Sequence, residues 1–105
     1  MRKKNFGYVL ATKKLVDERL PVRFMYHEKP DNKDDSGWRF FSGLEDQEYT
    51  DNPDNIAIYD INTVMNIDES IWPYLDSIEG MAFEREGTKG TFKVCEDFSF
   101  EPEKN

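Results

Sequence analysis

The sequence predicts an α+β fold: one small domain, residues 1–105, with an antiparallel or mixed sheet of about five strands and two short helices. Three observations lead there. The chain has 105 residues, enough for one hydrophobic core and little else. Apolar residues alternate at a period of two in Val22–Glu28, Met81–Glu86 and Thr91–Phe98. After the apolar run Ile56–Ile61, the spacing of Ile61, Val64 and Met65 turns helical.

The elements follow in order. Phe6–Thr12 reads as a first strand. Lys13–Pro21 is a polar connection with room for one helical turn, and Pro21 ends it. Val22–Glu28 is a second strand, with Val22, Phe24 and Tyr26 on one face and Arg23, Met25 and His27 on the other. Lys29–Gly37 is dense in Pro, Asp, Asn, Ser and Gly, so it reads as a loop. Trp38–Ser42 is a third strand, paired antiparallel with the second, with Trp38, Phe40 and Phe41 read as core. Leu44–Tyr49 has room for a helical turn, and Asp51–Asn55 must turn. Ile56–Ile61 is apolar on both faces except at Asp60, which predicts a buried central strand. Asp68 is a candidate N-cap for a helix whose inner face is Ile71, Trp72 and Leu75, and Gly80 ends it. Met81–Glu86 and Thr91–Phe98 form a closing hairpin around Gly87–Gly90. Residues 1–5 and 99–105 are expected to be flexible ends.

Charge restricts the partner. The net charge is −8, divided unevenly. Residues 1–23 hold seven Lys/Arg against two acids, a balance of +5, and the remainder holds seven against twenty, a balance of −13. Such a body repels phosphate backbones, so nucleic acid is not the expected partner, and a basic protein is. No apolar run approaches the ~20 residues of a membrane helix. With Cys95 as the single cysteine, no internal disulfide is available. Together these features predict a cytoplasmic protein with no membrane partner.

Chemistry is sparse. Asn32–Gly37 imitates the opening of a calcium loop, but its twelfth position is Gly43 instead of a bidentate Glu. A solvated turn is the better reading. Glu45, Asp46, Glu48, Asp51 and Asp54 crowd ten residues, yet nothing separates the environment of one carboxylate from the next, as acid–base catalysis requires. His27 and Cys95, the lone His and Cys, cannot close a zinc site, and Cys95 sits in a strand pattern where cysteine acts as a small hydrophobe. No metal, cofactor or catalytic residue is expected. What remains is binding, with Arg39, Glu45, Asp46, Glu48, Tyr49, Asp51 and Asp54 as candidate partner-facing residues. Trp, Tyr and Arg are the types enriched at interface hot spots, and Arg39 is expected to pair with a carboxylate and order the acidic loop.

The runs "GYVLATKKL", "VRFMYHEKPDNKDDSGWRFFSGLEDQEYTDNPDNIAIYDINTVMNID" and "IWPYLDSIEGMAFERE" resemble a bacterial family first catalogued as a domain of unknown function and later assigned to the immunity proteins of polymorphic toxin systems. The resemblance covers about residues 7–86. The shared motif falls on Asp35, Ser36, Gly37, Trp38, Arg39, Phe40, Gly43, Glu45, Tyr49, Asp51, Pro53 and Asn55. Of these, Asp35, Ser36, Gly37, Trp38, Phe40, Gly43, Pro53 and Asn55 are expected to be structural. The resemblance implies a cytoplasmic protein that neutralises a toxin domain, often a nuclease. The basic N-terminus and the Phe-rich tail depart from the pattern. A second reading is a stand-alone small-molecule binder or regulator with a pocket beside Trp38 and Tyr49. Oligomeric state is left open.

Overall fold

The computed structural model describes residues 7–87 and 90–95. Phe6, Phe98 and both expected flexible ends lie outside these residues.

Among the described residues, six strands form one mixed sheet. They are β1 (Tyr8–Thr12), β2 (Phe24–His27), β3 (Asp35–Phe41), β4 (Ile56–Tyr59), β5 (Ala82–Glu84) and β6 (Lys93–Val94). Their order is β4-β1-β3-β2-β5-β6. β1 runs parallel to β3, and every other neighbouring pair is antiparallel. The sheet is therefore mixed, with one strand more than predicted. The antiparallel β2–β3 pair and the closing β5–β6 pair are both present.

The helices are short: α1 (Lys13–Asp17), α2 (Gln47–Asp51) and α3 (Ile61–Ile67), with 3-10 segments at Pro53–Asn55 and Glu69–Tyr74. Each begins on a side-chain oxygen that accepts a free backbone N–H. Thr12 caps Leu15, Asp46 caps Tyr49, Asn52 caps Asp54, Asp60 caps Asn62 and Asp68 caps Ser70. The predicted cap at Asp68 is thus present. Its helix takes the tighter 3-10 form around Pro73. Ile71 and Leu75 are buried on its inner face and Trp72 is half-buried. Asp68 also accepts the Val22 N–H at 2.9 Å and pairs with the buried Arg85 at 2.7 Å, which fastens this segment to the ends of β2 and β5.

The core lies on one face of the sheet. Val9, Ala11, Met25, Trp38, Phe40 and Phe83 pack against Leu15, Ile61, Val64, Ile71 and Leu75, with Phe92 at one end. Trp38 stacks on the His27 ring, centroids 4.8 Å apart. Phe24, Tyr26 and Phe41 form a ring triangle on the opposite face, each pair 5.8 Å apart.

Three expectations are corrected. Ile56–Ile61 is not a central strand. Its strand ends at Tyr59 and lies at the sheet edge, and Asp60 caps α3 instead of interrupting a strand. Asp35, Ser36 and Gly37 are not loop but the first three residues of β3. Phe41, grouped in sequence with Trp38 and Phe40, turns to the other face and is half-buried.

Candidate functional site

Two arrangements arise from the segment between β2 and β4. One is buried and one is exposed.

The buried one is built on Asp35-Ser36-Gly37-Trp38-Arg39. Residues four apart on a regular strand stand ~13 Å from each other, too far for an ion pair. Here β3 bulges: Tyr8 pairs with Asp35 and Leu10 with Arg39, so two steps of β1 span four of β3. Gly37 makes the bulge, with φ +90°. A Cβ there would lie 2.3 Å from the Glu28 carbonyl oxygen and 2.9 Å from the His27 ring. Shortened in this way, β3 brings the Asp35 carboxylate onto both terminal nitrogens of Arg39, at 2.9 and 2.8 Å. Asp35 also accepts the Asp31 and Gly37 N–H groups, while Arg39 Nε donates to Glu28 at 2.5 Å.

The Asp35 side chain is fully buried and that of Arg39 is 3% exposed. Hydrogen bonds from Arg39 hold the Asp35 carboxyl at about 2, with burial pulling the other way and two backbone N–H groups assisting. Burial disfavours the Arg39 cation, but its bonds to Asp35 and Glu28 outweigh that and raise its affinity for the proton. The arginine thus pairs with carboxylates, as expected. Those carboxylates stand at the start of β3 and just past the end of β2, not in the acidic loop it was expected to order. The calcium-like turn is explained in the same way, since the oxygens of Asp35 are taken by a guanidinium and two amides. Trp38 is 1% exposed and belongs to the core.

The exposed arrangement is the acidic segment after β3. Glu45 anchors it. Its carboxylate accepts from the Thr12 hydroxyl at 2.5 Å, the Ser42 hydroxyl at 2.9 Å, the Ser42 N–H at 3.1 Å and the Gly43 N–H at 3.0 Å. Burial pushes this carboxyl up, but the hydrogen bonds from Thr12 and Ser42 win and leave it below its ordinary value. Tyr49 is the second anchor. Its hydroxyl accepts the Lys14 N–H at 3.0 Å, and its carbonyl accepts from the Asn55 side chain at 2.9 Å. Pro53 starts the 3-10 turn that leads into β4, and Gly43 takes φ +86° where the chain leaves β3.

Held at these two points, the segment turns Asp46, Glu48, Asp51 and Asp54 to solvent. Asp46 caps α2 and Asp51 accepts from Gln47. None of the four is in a described ion pair. Asp17 adds to the same side. Burial and then the Asp17 carboxylate raise the Tyr59 hydroxyl above its ordinary value, with Tyr49 contributing. The seven candidate residues therefore separate: Arg39 is buried, Glu45 and Tyr49 are half-buried anchors, and the other four are exposed. Sequence reasoning missed Thr12 and Ser42, which hold Glu45. An acid three residues after a serine at a strand end is the signal that could have found one of them.

Among the described residues, no three His, Cys, Asp or Glu side chains are grouped to hold a metal ion, and no helix is long and apolar enough to cross a membrane. The His27 ring nitrogens face the carbonyl oxygens of Ser77 and Ser36, at 2.8 and 3.1 Å.

Residues 9–96 match the family model described as the immunity protein Imm33 domain. No curated protein and no solved structure matches the chain.

Proposed function

Because the chain belongs to the Imm33 immunity protein domain family, we propose that it neutralises a cognate toxin domain by covering a basic surface with its acidic segment. The observation that carries this reading is the contrast inside Leu44–Asn55. Glu45 and Tyr49 fix the backbone to β1 and α1, while Asp46, Glu48, Asp51 and Asp54 stay exposed and outside any described ion pair. Fixed charges are worth more to a partner than mobile ones, because less side-chain and loop entropy is lost on binding. A nuclease is the toxin class this suits best, since an active site that accepts phosphates is electropositive. Opposed charge would raise the association rate and make it depend on salt. The cytoplasm is where such a toxin would have to be met.

The test uses as partner a cognate toxin domain identified by its capture on the purified protein. Glu48→Lys, Asp51→Lys and Asp54→Lys together should slow association by about tenfold or more at low ionic strength, with much less effect near 0.5 M salt. An unchanged low-salt association rate would sink the electrostatic reading.

A further inference from the structure

The acidic segment leads directly into β4, the outermost strand on its side of the sheet among the described residues. Edge strands present unpaired backbone groups, and the hydrogen bonds show which residue presents them here. Tyr8 donates its N–H to Asp34, on the β3 side. Main-chain groups along a strand alternate in direction with a period of two, so Leu10 also faces β3, while Val9 and Ala11 face β4. Their partners in register are Tyr59 and Ala57. These two therefore carry the β1–β4 bonds. Ile56 and Ile58 turn the other way, and in agreement Ile56 gives its N–H to the Pro53 carbonyl. Ile58 is left with its N–H and C=O on the outer edge. Its side chain, 61% exposed, is among the most exposed large apolar groups described.

We propose that this edge accepts an extended basic segment of the toxin as an added strand, with Ile58 at its centre. The proposal rests on the immunity reading and says how the acidic surface is used. Charge selects the occupant. Asp54 lies just before β4 and Asp60 just after it, with Asp51 and Glu48 further back on the same segment. A basic strand laid along Ile56–Tyr59 meets a carboxylate near each end. A second copy of this chain, paired antiparallel through the same edge, would bring Asp54 of one protomer toward Asp60 of the other, and like charges oppose that pairing. The backbone would supply affinity and register, and the acids would choose the partner, as in other strand-addition complexes.

The experiment uses the full chain, labelled with 15N, at low salt. One probe is a dodecapeptide of alternating Lys and Val. The other is the same peptide N-methylated at every backbone amide, which keeps the charge but leaves neither edge able to extend a ladder. The first peptide should slow hydrogen exchange at the Ile58 amide by about tenfold or more, and the second should leave it unchanged. Ile58→Pro removes only an N–H that β1 does not use, so it should stay folded and bind both peptides alike. If both peptides bind the unaltered protein equally and Ile58 stays unprotected, the acidic surface stands and strand addition falls. If neither peptide binds at low salt, the acidic-surface reading and this proposal fall together. Protection of Ile58 that rises with protein concentration and needs no peptide overturns it in favour of a second copy.

Discussion

Asp35 and Arg39 show how one pair of residues can define a local structure. Removing one partner leaves the other charge buried and uncompensated, which costs about 3–5 kcal/mol. Asp35→Asn is expected to destabilise by that order in urea unfolding at pH 7. The pH dependence has a definite sign. The Asp35 carboxyl is lowered to about 2, so the unfolded chain takes up a proton that the folded chain refuses. Its stabilisation is complete above about pH 4 and is lost as pH falls toward 2, a change of about 2 kcal/mol. The gap between the natural protein and Asp35→Asn should therefore narrow on acidification. Glu45→Gln makes a separate prediction. It removes charge from a carboxylate holding two hydroxyls and two amides, and should cost about 1–3 kcal/mol. The exchange rates of the Ser42 and Gly43 amides report the loosening. The need of Arg39 for a carboxylate was legible in the sequence, because an arginine inside an aromatic strand must be paired. Which carboxylate it takes was not, because the bulge that brings Asp35 within reach depends on pairing with β1.

At the scale of elements, local pattern reported type well and position poorly. The β2–β3 pair, the helical spacing from Ile61 and the cap at Asp68 are short-range features, and each is present. The rank of β4 in the sheet is not short-range. Apolar residues on both of its faces suggested burial from two sides. In the sheet, Ala57 and Tyr59 turn toward the face that carries the core and Ile56 and Ile58 toward the other, where Ile58 is exposed, so an apolar run on both faces here marks an edge strand and not a doubly covered one. Gly37 is the element-scale test. Alanine there must hold φ near +90° and avoid the Glu28 carbonyl, at a cost of about 1–3 kcal/mol from the backbone alone. If the bulge serves the ion pair, Gly37→Ala and Asp35→Asn will cost less together than their sum in thermal unfolding.

Over the whole molecule, charge and framework are held by separate residues. The core aromatics and the Asp35–Arg39 pair hold the sheet, while the exposed Glu48, Asp51 and Asp54 hold almost nothing beyond the Gln47–Asp51 hydrogen bond. Reversing Glu48, Asp51 and Asp54 should therefore change unfolding free energy by no more than about 0.5 kcal/mol each, even where binding is lost. Chemical denaturation of the triple variant, run beside the binding assay, checks this. The sign of the surface was readable from composition, since −13 over residues 24–105 has to lie somewhere outside the core. The anchoring by Thr12 and Lys14 was not readable, because 33 and 35 residues separate them from Glu45 and Tyr49.

β1 pairs parallel with β3 and antiparallel with β4, so it lies between two strands that follow it in the chain. During synthesis β1 emerges first and has no neighbour. The β2–β3 hairpin closes locally, but β1 cannot be covered on both sides until Tyr59 has been made. Distant pairings of this kind form late, because loop closure is paid before contacts reward it. Pulse-labelled hydrogen exchange should find the Tyr26 and Arg39 amides, which bond across β2 and β3, protected before those of Ala11 and Ala57. The edge that would receive a partner is then among the last parts of the sheet to form, and a chain caught midway would lack the surface that binds.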